Sequence, residues 1–217
     1  MEILRGRAAS GLIAVATAVV IVAIVMPLFL NPFWVAFEQG RAQATAWTGF
    51  SELQQRAATD AILADLVLGP PDFDVVVDGQ PVLNERERSH MGNVRSVFTG
   101  FFAITVILVV AAVIVAARRR ATGRPGTTWR AVRHGAVGLI VGLGLVGAVA
   151  LVAFDALFEI FHQVFFPGGT YTFDPATERL VQLFPFQFWQ ETAVALGVVA
   201  AVVAFLVAVV AHRRATS

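Results

Sequence analysis

The chain has 217 residues, 57% of them apolar, against roughly 45–50% in a soluble domain. Its formal charge is +1, and it contains no cysteine. That absence excludes disulfides, thiolate metal ligands and a thiol nucleophile, and with them an acyl-cysteine enzyme.

Four apolar runs explain the composition: 8–30, 97–117, 136–158 and 193–211. Each has about the 20 residues that a helix needs to cross a bilayer. The expected fold is an all-α polytopic membrane protein, a single membrane domain over 1–217. Outer segments are expected at 37–96 and 159–191, and a cytoplasmic loop at 118–135. All 16 basic residues are arginine. Ten of them (Arg5, Arg7, Arg118, Arg119, Arg120, Arg124, Arg130, Arg133, Arg213 and Arg214) flank the runs on one side, with Glu2 the single acid among them. The positive-inside rule puts that side, with both termini, in the cytoplasm. The first run follows Arg5 and Arg7 and precedes Ala42-Gln43-Ala44, as a signal peptide would. It exceeds the about 7–15 residues of a secretory apolar core, so a retained anchor helix is expected.

The first run ends at Asn31-Pro32, with Trp34 and Phe37 as interfacial aromatics. From Arg41 to Leu68 glycine and proline are absent except at Gly49, and Trp47, Phe50, Leu53, Ile62 and Leu66 recur at helical spacing. One or two helices lying on the membrane surface are expected there. Gly69-Pro70-Pro71 stops them. In Phe73–Leu83, FDVVVDGQPVL, β-branched residues flank Asp78-Gly79, a hairpin signal, and Pro81 makes the second strand an edge. These helices and the hairpin form a small extracytoplasmic α+β insertion between spans 1 and 2.

Asn84 can cap the next helix, with Glu87 reciprocating, and this helix is expected to run through His90 into the second span. In the third span Gly135, Gly138 and Gly142 share a face that permits close packing. Near its outer end Asp155, Glu159 and His162 also share a face. Pro167-Gly168-Gly169 breaks this helix and opens a second, shorter outer segment. Asp174-Pro175 then starts a short helix to Leu183, with Leu180 and Leu183 inward and Glu178 and Arg179 outward. Phe186, Phe188 and Trp189 form the aromatic belt opening the fourth span.

Two Glu-x-x-His units carry the chemistry: Glu87/His90 and Glu159/His162. Spacing of three puts each pair on one face, where a carboxylate can orient its imidazole. Both lie at the outer edge of the bilayer, where ionisable groups are expensive and mark function. Two histidines at matching depth suit proton transfer on a lipid-borne substrate. Two other classes fit as well. Glu38 and Glu191, added to the two units, complete the ligand inventory of a dinuclear-metal oxidoreductase. The outer insertion also suits a non-enzymatic membrane assembly factor. His134 and His212, among the inner arginines, read as solvent-facing.

The pieces E-R-E-x-x-H-M-x-N-V-R (Glu85 to Arg95) and F-x-x-F-H-x-x-F-F…F-D-P-x-T-x-x-L-x-x-L-F-P (Phe158 to Pro185) resemble the bacterial lipoprotein intramolecular transacylase family, Lit. The four-span plan with a large first outer segment is similar too. The resemblance implies an O-to-N acyl shift. The sn-2 acyl chain of a diacylglyceryl-cysteine lipoprotein moves to the α-amine of the same cysteine, leaving a lyso-form lipoprotein. It implies catalytic roles for His90 and His162; Glu87 and Glu159, by their spacing from the histidines, and Asp155 and Asn93 nearby are the expected supporting residues. Family members commonly carry aspartate where this chain has Asn93. Either histidine can be the base. Diacylglyceryl-modified lipoproteins and membrane lipids are the implied partners, with no cofactor, metal or nucleic acid, in the bacterial plasma membrane with the site facing outward.

Overall fold

The computed structural model describes residues 2–166 and 168–216. Pro167, expected to help break the third long helix, lies outside the described residues. The chain is helical, with four helices long and apolar enough to cross a membrane. These are α1 (Glu2–Val25, extended by a 3-10 turn at Met26–Phe29), α5 (Glu85–Ala121), α6 (Pro125–Phe165) and α8 (Phe186–Thr216). Between α1 and α5 come α2 (Pro32–Arg41), α3 (Ala44–Thr48), α4 (Glu52–Val67) and the strands β1 (Val76–Val77) and β2 (Gln80–Pro81). Between α6 and α8 lies α7 (Arg179–Leu183). The described chain divides into two compact units.

One unit comprises the chain up to Met26, Phe101–Leu151 and the chain from Ala195. Small residues let its helices approach. Ala200, Ala204, Ala208 and Ala211 recur on one face of α8, and all are buried. Gly135 lies so close to α1 that a Cβ there would stand 2.2 Å from the Ala14 carbonyl oxygen. Gly138 and Gly142, expected to share that role, have no such neighbour within 4 Å. Arg119 donates to Ser10 Oγ at 2.8 Å, to the Gly6 carbonyl at 3.3 Å and to the Thr127 carbonyl at 3.2 Å. One guanidinium thereby joins three helices.

The other unit comprises Pro27–Gly100 and Val152–Val194. Its helices start on local signals. Asn31 accepts the Phe33 and Trp34 amides at 3.0 and 3.1 Å, with Pro32 at the first helical position. Ser51 and Gln54 form a capping box that opens α4. The hairpin pairs Val76 with Pro81 and Val77 with Gln80 around Asp78-Gly79, both at positive φ, which only a primed turn demands. Burying Ala58, Ile62 and Leu66 of α4 against Phe73, Val75, Val82, Met91 and Leu183 makes a true core. A fully buried side chain such as Leu183 contributes about 1.5–3 kcal/mol.

A buried amide crosses this core. Gln39 Nε2 donates to Thr59 Oγ1 at 2.9 Å and to the Leu183 carbonyl at 3.0 Å, linking α2, α4 and α7. Arg95 donates to the carbonyls of Asp65 and Gly69, satisfying the end of α4.

The stretch 41–68 does contain two helices, α3 and α4, with Ile62 and Leu66 facing the core and Trp47 and Leu53 exposed. Other expectations change. The turn Asp174–Glu178 precedes α7 rather than belonging to it: Asp174 accepts the Ala176 amide through its side chain and the Glu178 amide through its carbonyl. Glu178, expected outward, is buried because it gathers four donors. Phe188 is buried in the core, while Phe186 and Trp189 stay exposed.

Candidate active site

His90 is delivered by a well-capped helix start. Asn84 accepts the Glu87 amide at 2.9 Å and Glu87 accepts the Asn84 amide at 2.7 Å, so α5 begins with a reciprocal box. One turn on, His90 is buried at 6% exposure. Its ring meets Phe166 (centroids 4.9 Å apart), Phe173 edge-on (5.3 Å) and His162. The two imidazoles stack, with centroids 6.2 Å apart and planes at 19°. His90 Nδ1 is buried without a hydrogen-bond partner among the described residues.

His162 comes from the C-terminal arm of α6. At Ala153 the backbone leaves helical geometry (φ −148°, ψ 43°), so 154–165 is a separately directed stretch of helix. Within it, His162 Nδ1 lies 2.7 Å from the Phe158 carbonyl oxygen, one turn back. A carbonyl can only accept, so Nδ1 carries the hydrogen. The neutral ring then has its lone pair on Nε2, the atom a general base needs. The Phe158 ring packs on the imidazole at 4.2 Å and Phe166 at 5.5 Å. Phe166 therefore contacts both histidines.

The structure brings the two histidines together but does not give either one its expected carboxylate. Glu87 is 1% exposed, and its oxygens accept the amides of Asn84 (2.7 Å) and Leu180 (2.6 Å). Glu159 accepts Gln163 Nε2 at 2.9 Å and the Tyr171 hydroxyl at 2.8 Å. Spacing of three put each pair on one face, and nearer N–H and O–H donors claimed the oxygens. The side chains of Asp155 and Asn93 are exposed and bond to none of the described residues.

Three residues of the surrounding framework had not been singled out. Arg86 holds Glu178 through both oxygens, at 2.6 and 2.5 Å, and lies over the Phe173 ring at 5.2 Å. Tyr171, the chain's single tyrosine, packs its ring 5.0 Å from His162. It falls in the unspecified gap of the motif, two residues before Phe173, and no pattern in the sequence marked it.

Glu38 and Glu191 sit elsewhere in this unit, on Arg41. Arg41 Nε lies 2.5 Å from Glu191 and 3.9 Å from Glu38. Burial first, and then the neighbouring Glu191, push the Glu38 carboxyl up, while Arg41 pulls it back. Among the described residues no three of histidine, aspartate and glutamate converge as a metal ion would require, so the six-residue inventory is not gathered.

The family model of the lipoprotein intramolecular transacylase Lit matches residues 10–189, a stretch that contains both histidines. The chain belongs to the Lit family. This is a family of acyltransferase enzymes, and the helices make this Lit-family chain an integral membrane protein. Solved structures agree in fold. The in meso structure of the membrane integral Lit from Bacillus cereus superimposes with a TM-score of 0.79 at 16% identity, covering 98% of this chain and 96% of that one. Two variants of the same protein, with one histidine replaced by arginine or by alanine, superimpose with TM-scores of 0.74 and 0.74 at 16% identity. Each covers 98% of this chain, and 92% and 94% of the respective relative. No curated protein sequence matches the chain.

Proposed function

We propose that this Lit-family chain isomerises bacterial lipoproteins at the outer face of the plasma membrane, moving the sn-2 acyl chain of a diacylglyceryl-cysteine to the α-amine of the same cysteine. The observation that carries the reading is the stacked pair, His90 and His162, with centroids 6.2 Å apart and the Nδ1 hydrogen of His162 engaged by Phe158. The amine nitrogen attacks the ester carbonyl carbon; an N–C bond forms and the bond to the glycerol oxygen breaks. His162 Nε2 takes the amine proton. As imidazolium, His162 passes that proton to the leaving glycerol oxygen, which restores it. His90, which burial and the neighbouring His162 keep neutral with its pKa lowered to about 4, offers an N–H to the developing oxyanion. Atoms balance, because the product is an isomer of the substrate.

The chemistry asks little beyond this. An α-amine has a pKa of about 7.7–8.0, so a neutral imidazole is a sufficient base. The nucleophile and the ester belong to one molecule, and orientation supplies much of the acceleration. No cofactor is needed. Ten arginines on one side of the apolar runs support an orientation with both termini in the cytoplasm and the histidines outward.

Mass spectrometry of a diacylglyceryl lipopeptide incubated with the purified protein tests the proposal, wild type beside His162→Ala. The expected result is an unchanged mass whose fragments move from the diacylglyceryl to the N-acyl lyso form, absent in the variant. A folded wild type that leaves the fragments unchanged overturns it.

A further inference from the structure

Tyr171 stands between Glu159 and His162. Its hydroxyl donates to Glu159 Oε1 at 2.8 Å, and its ring packs on the imidazole at 5.0 Å with planes at 39°. Glu159 thus holds the tyrosine, and the tyrosine meets the histidine. Two residues on, Phe173 meets His90 edge-on at 5.3 Å. Alternate side chains of one short stretch therefore reach both rings. The far end of that stretch is fastened as well: Glu178 accepts from Arg86 and from the Asp174 amide at 2.6 Å.

The Phe158 carbonyl fixes one nitrogen of His162 but leaves the ring free to rock about that bond. Phe158 and Phe161, which also touch the ring, come from its own helix arm and move with it. Tyr171 comes from outside the arm and has a polar tether, so it can fix the ring against an external reference. A misplacement of about 1 Å in a reacting group costs on the order of 100-fold in rate.

We propose that Tyr171 is a positioning residue for the acyl shift proposed above: it acts through His162, holding the Nε2 lone pair in its working direction. Glu159 contributes by accepting the Tyr171 hydroxyl and not by its charge. The inference rests on the acyl-shift reading, and its test separates the two.

The full-length protein is assayed on a diacylglyceryl lipopeptide as wild type, Tyr171→Phe, Glu159→Ala, Glu159→Gln and the Tyr171→Phe/Glu159→Ala double variant, with thermal stability followed in parallel. Tyr171→Phe keeps the ring and loses the tether, and kcat is expected to fall roughly 10- to 100-fold with KM and melting temperature unchanged. Glu159→Ala is expected to match it, and the double variant to be no worse than either. Glu159→Gln keeps an oxygen that accepts from the phenol, and restores kcat to within about twofold of wild type. The inference is overturned by wild-type kcat in Tyr171→Phe, by Glu159→Gln as impaired as Glu159→Ala, by additive losses, or by a fall in melting temperature that parallels the loss in kcat. A second readout needs no turnover. In histidine side-chain nitrogen spectra, the His162 signals, assigned by their loss in His162→Ala, are expected to stay Nδ1-protonated in both proteins, because the Phe158 carbonyl sets the tautomer, and to broaden in Tyr171→Phe as the ring rocks about that bond. An unchanged His162 spectrum overturns the inference too. If wild type leaves the lipopeptide intact, the acyl-shift reading fails, and the spectra alone decide whether Tyr171 positions His162.

Discussion

The Oε1 of Glu87 accepts the amide of Leu180 at 2.6 Å, joining the start of α5 to the start of α7 across 93 positions of sequence. Its other oxygen closes the capping box with Asn84. A carboxylate so engaged holds the floor on which His90 stands and does not tune the imidazole. Glu87→Ala leaves two backbone donors without partners at a residue 1% exposed. The unfolding free energy should fall by about 2–6 kcal/mol, at about 1–3 per orphaned donor. Denaturant unfolding in detergent measures this, and activity should be lost in step with folded protein. Lost activity at full stability would return Glu87 to a direct role on His90.

The stacked histidines predict a different signature. His90→Ala and His162→Ala should each slow formation of N-acyl lyso lipopeptide by about 10²- to 10⁴-fold, the usual contribution of acid–base catalysis. Two groups acting as a unit are not additive, so the double variant should be close to the more damaged single one. Rates from timed fragment spectra decide. A double loss equal to the product of the singles would separate their roles.

Acid should loosen the unit that carries the site. Hydrogen bonding from Arg86 holds the Glu178 carboxyl below the usual carboxylate range, aided by the Asp174 amide and opposed by burial. A group whose folded value is depressed gives stability that is complete above its unfolded value, near pH 4.3, and lost as pH falls through the folded value. Arg86→Gln returns the carboxyl toward its ordinary range. Its acid-unfolding midpoint should therefore lie at higher pH than that of wild type. Arg86 is 53% exposed, so salt should shrink the difference. Circular dichroism during an acid titration reads both effects.

Gly135 and Gly138 should part company. A methyl at Gly135 collides with the Ala14 backbone, which cannot yield as a flexible side chain can. Gly135→Ala should cost about 1–3 kcal/mol, as overpacking does. At Gly138 nothing lies within 4 Å, and alanine there should be neutral or stabilising by up to about 1 kcal/mol through helix propensity. Thermal stability of the two variants in one detergent tests the contrast.

What could be read from the sequence was local. The Asn84–Glu87 box, the Asp78-Gly79 turn and the long apolar helices each depend on residues a few positions apart, so pattern and outcome coincide. The outward reading of Glu178 failed for the opposite reason. Helical spacing gives a face to a residue, but Arg86, 92 positions away, decides whether that carboxylate is buried. The Glu-x-x-His units failed likewise: same-face geometry made a carboxylate–imidazole bond possible, and the Leu180 amide and the Tyr171 hydroxyl were better placed. Tyr171 itself carries no periodic signal. Its role is visible only once 168–178 is folded against the α6 arm.

Because the chain has 1 tyrosine and it rests on His162, the protein carries its own optical reporter at that position. Every tyrosinate signal in an alkaline absorbance titration belongs to this phenol. Its hydrogen bond to Glu159 pushes its ionisation above the ordinary tyrosine value, so anything that parts the two brings the transition to lower pH. Glu159→Ala, which parts the two, would thus announce itself as a near-ultraviolet tyrosinate transition at lower pH, with no label added to the protein.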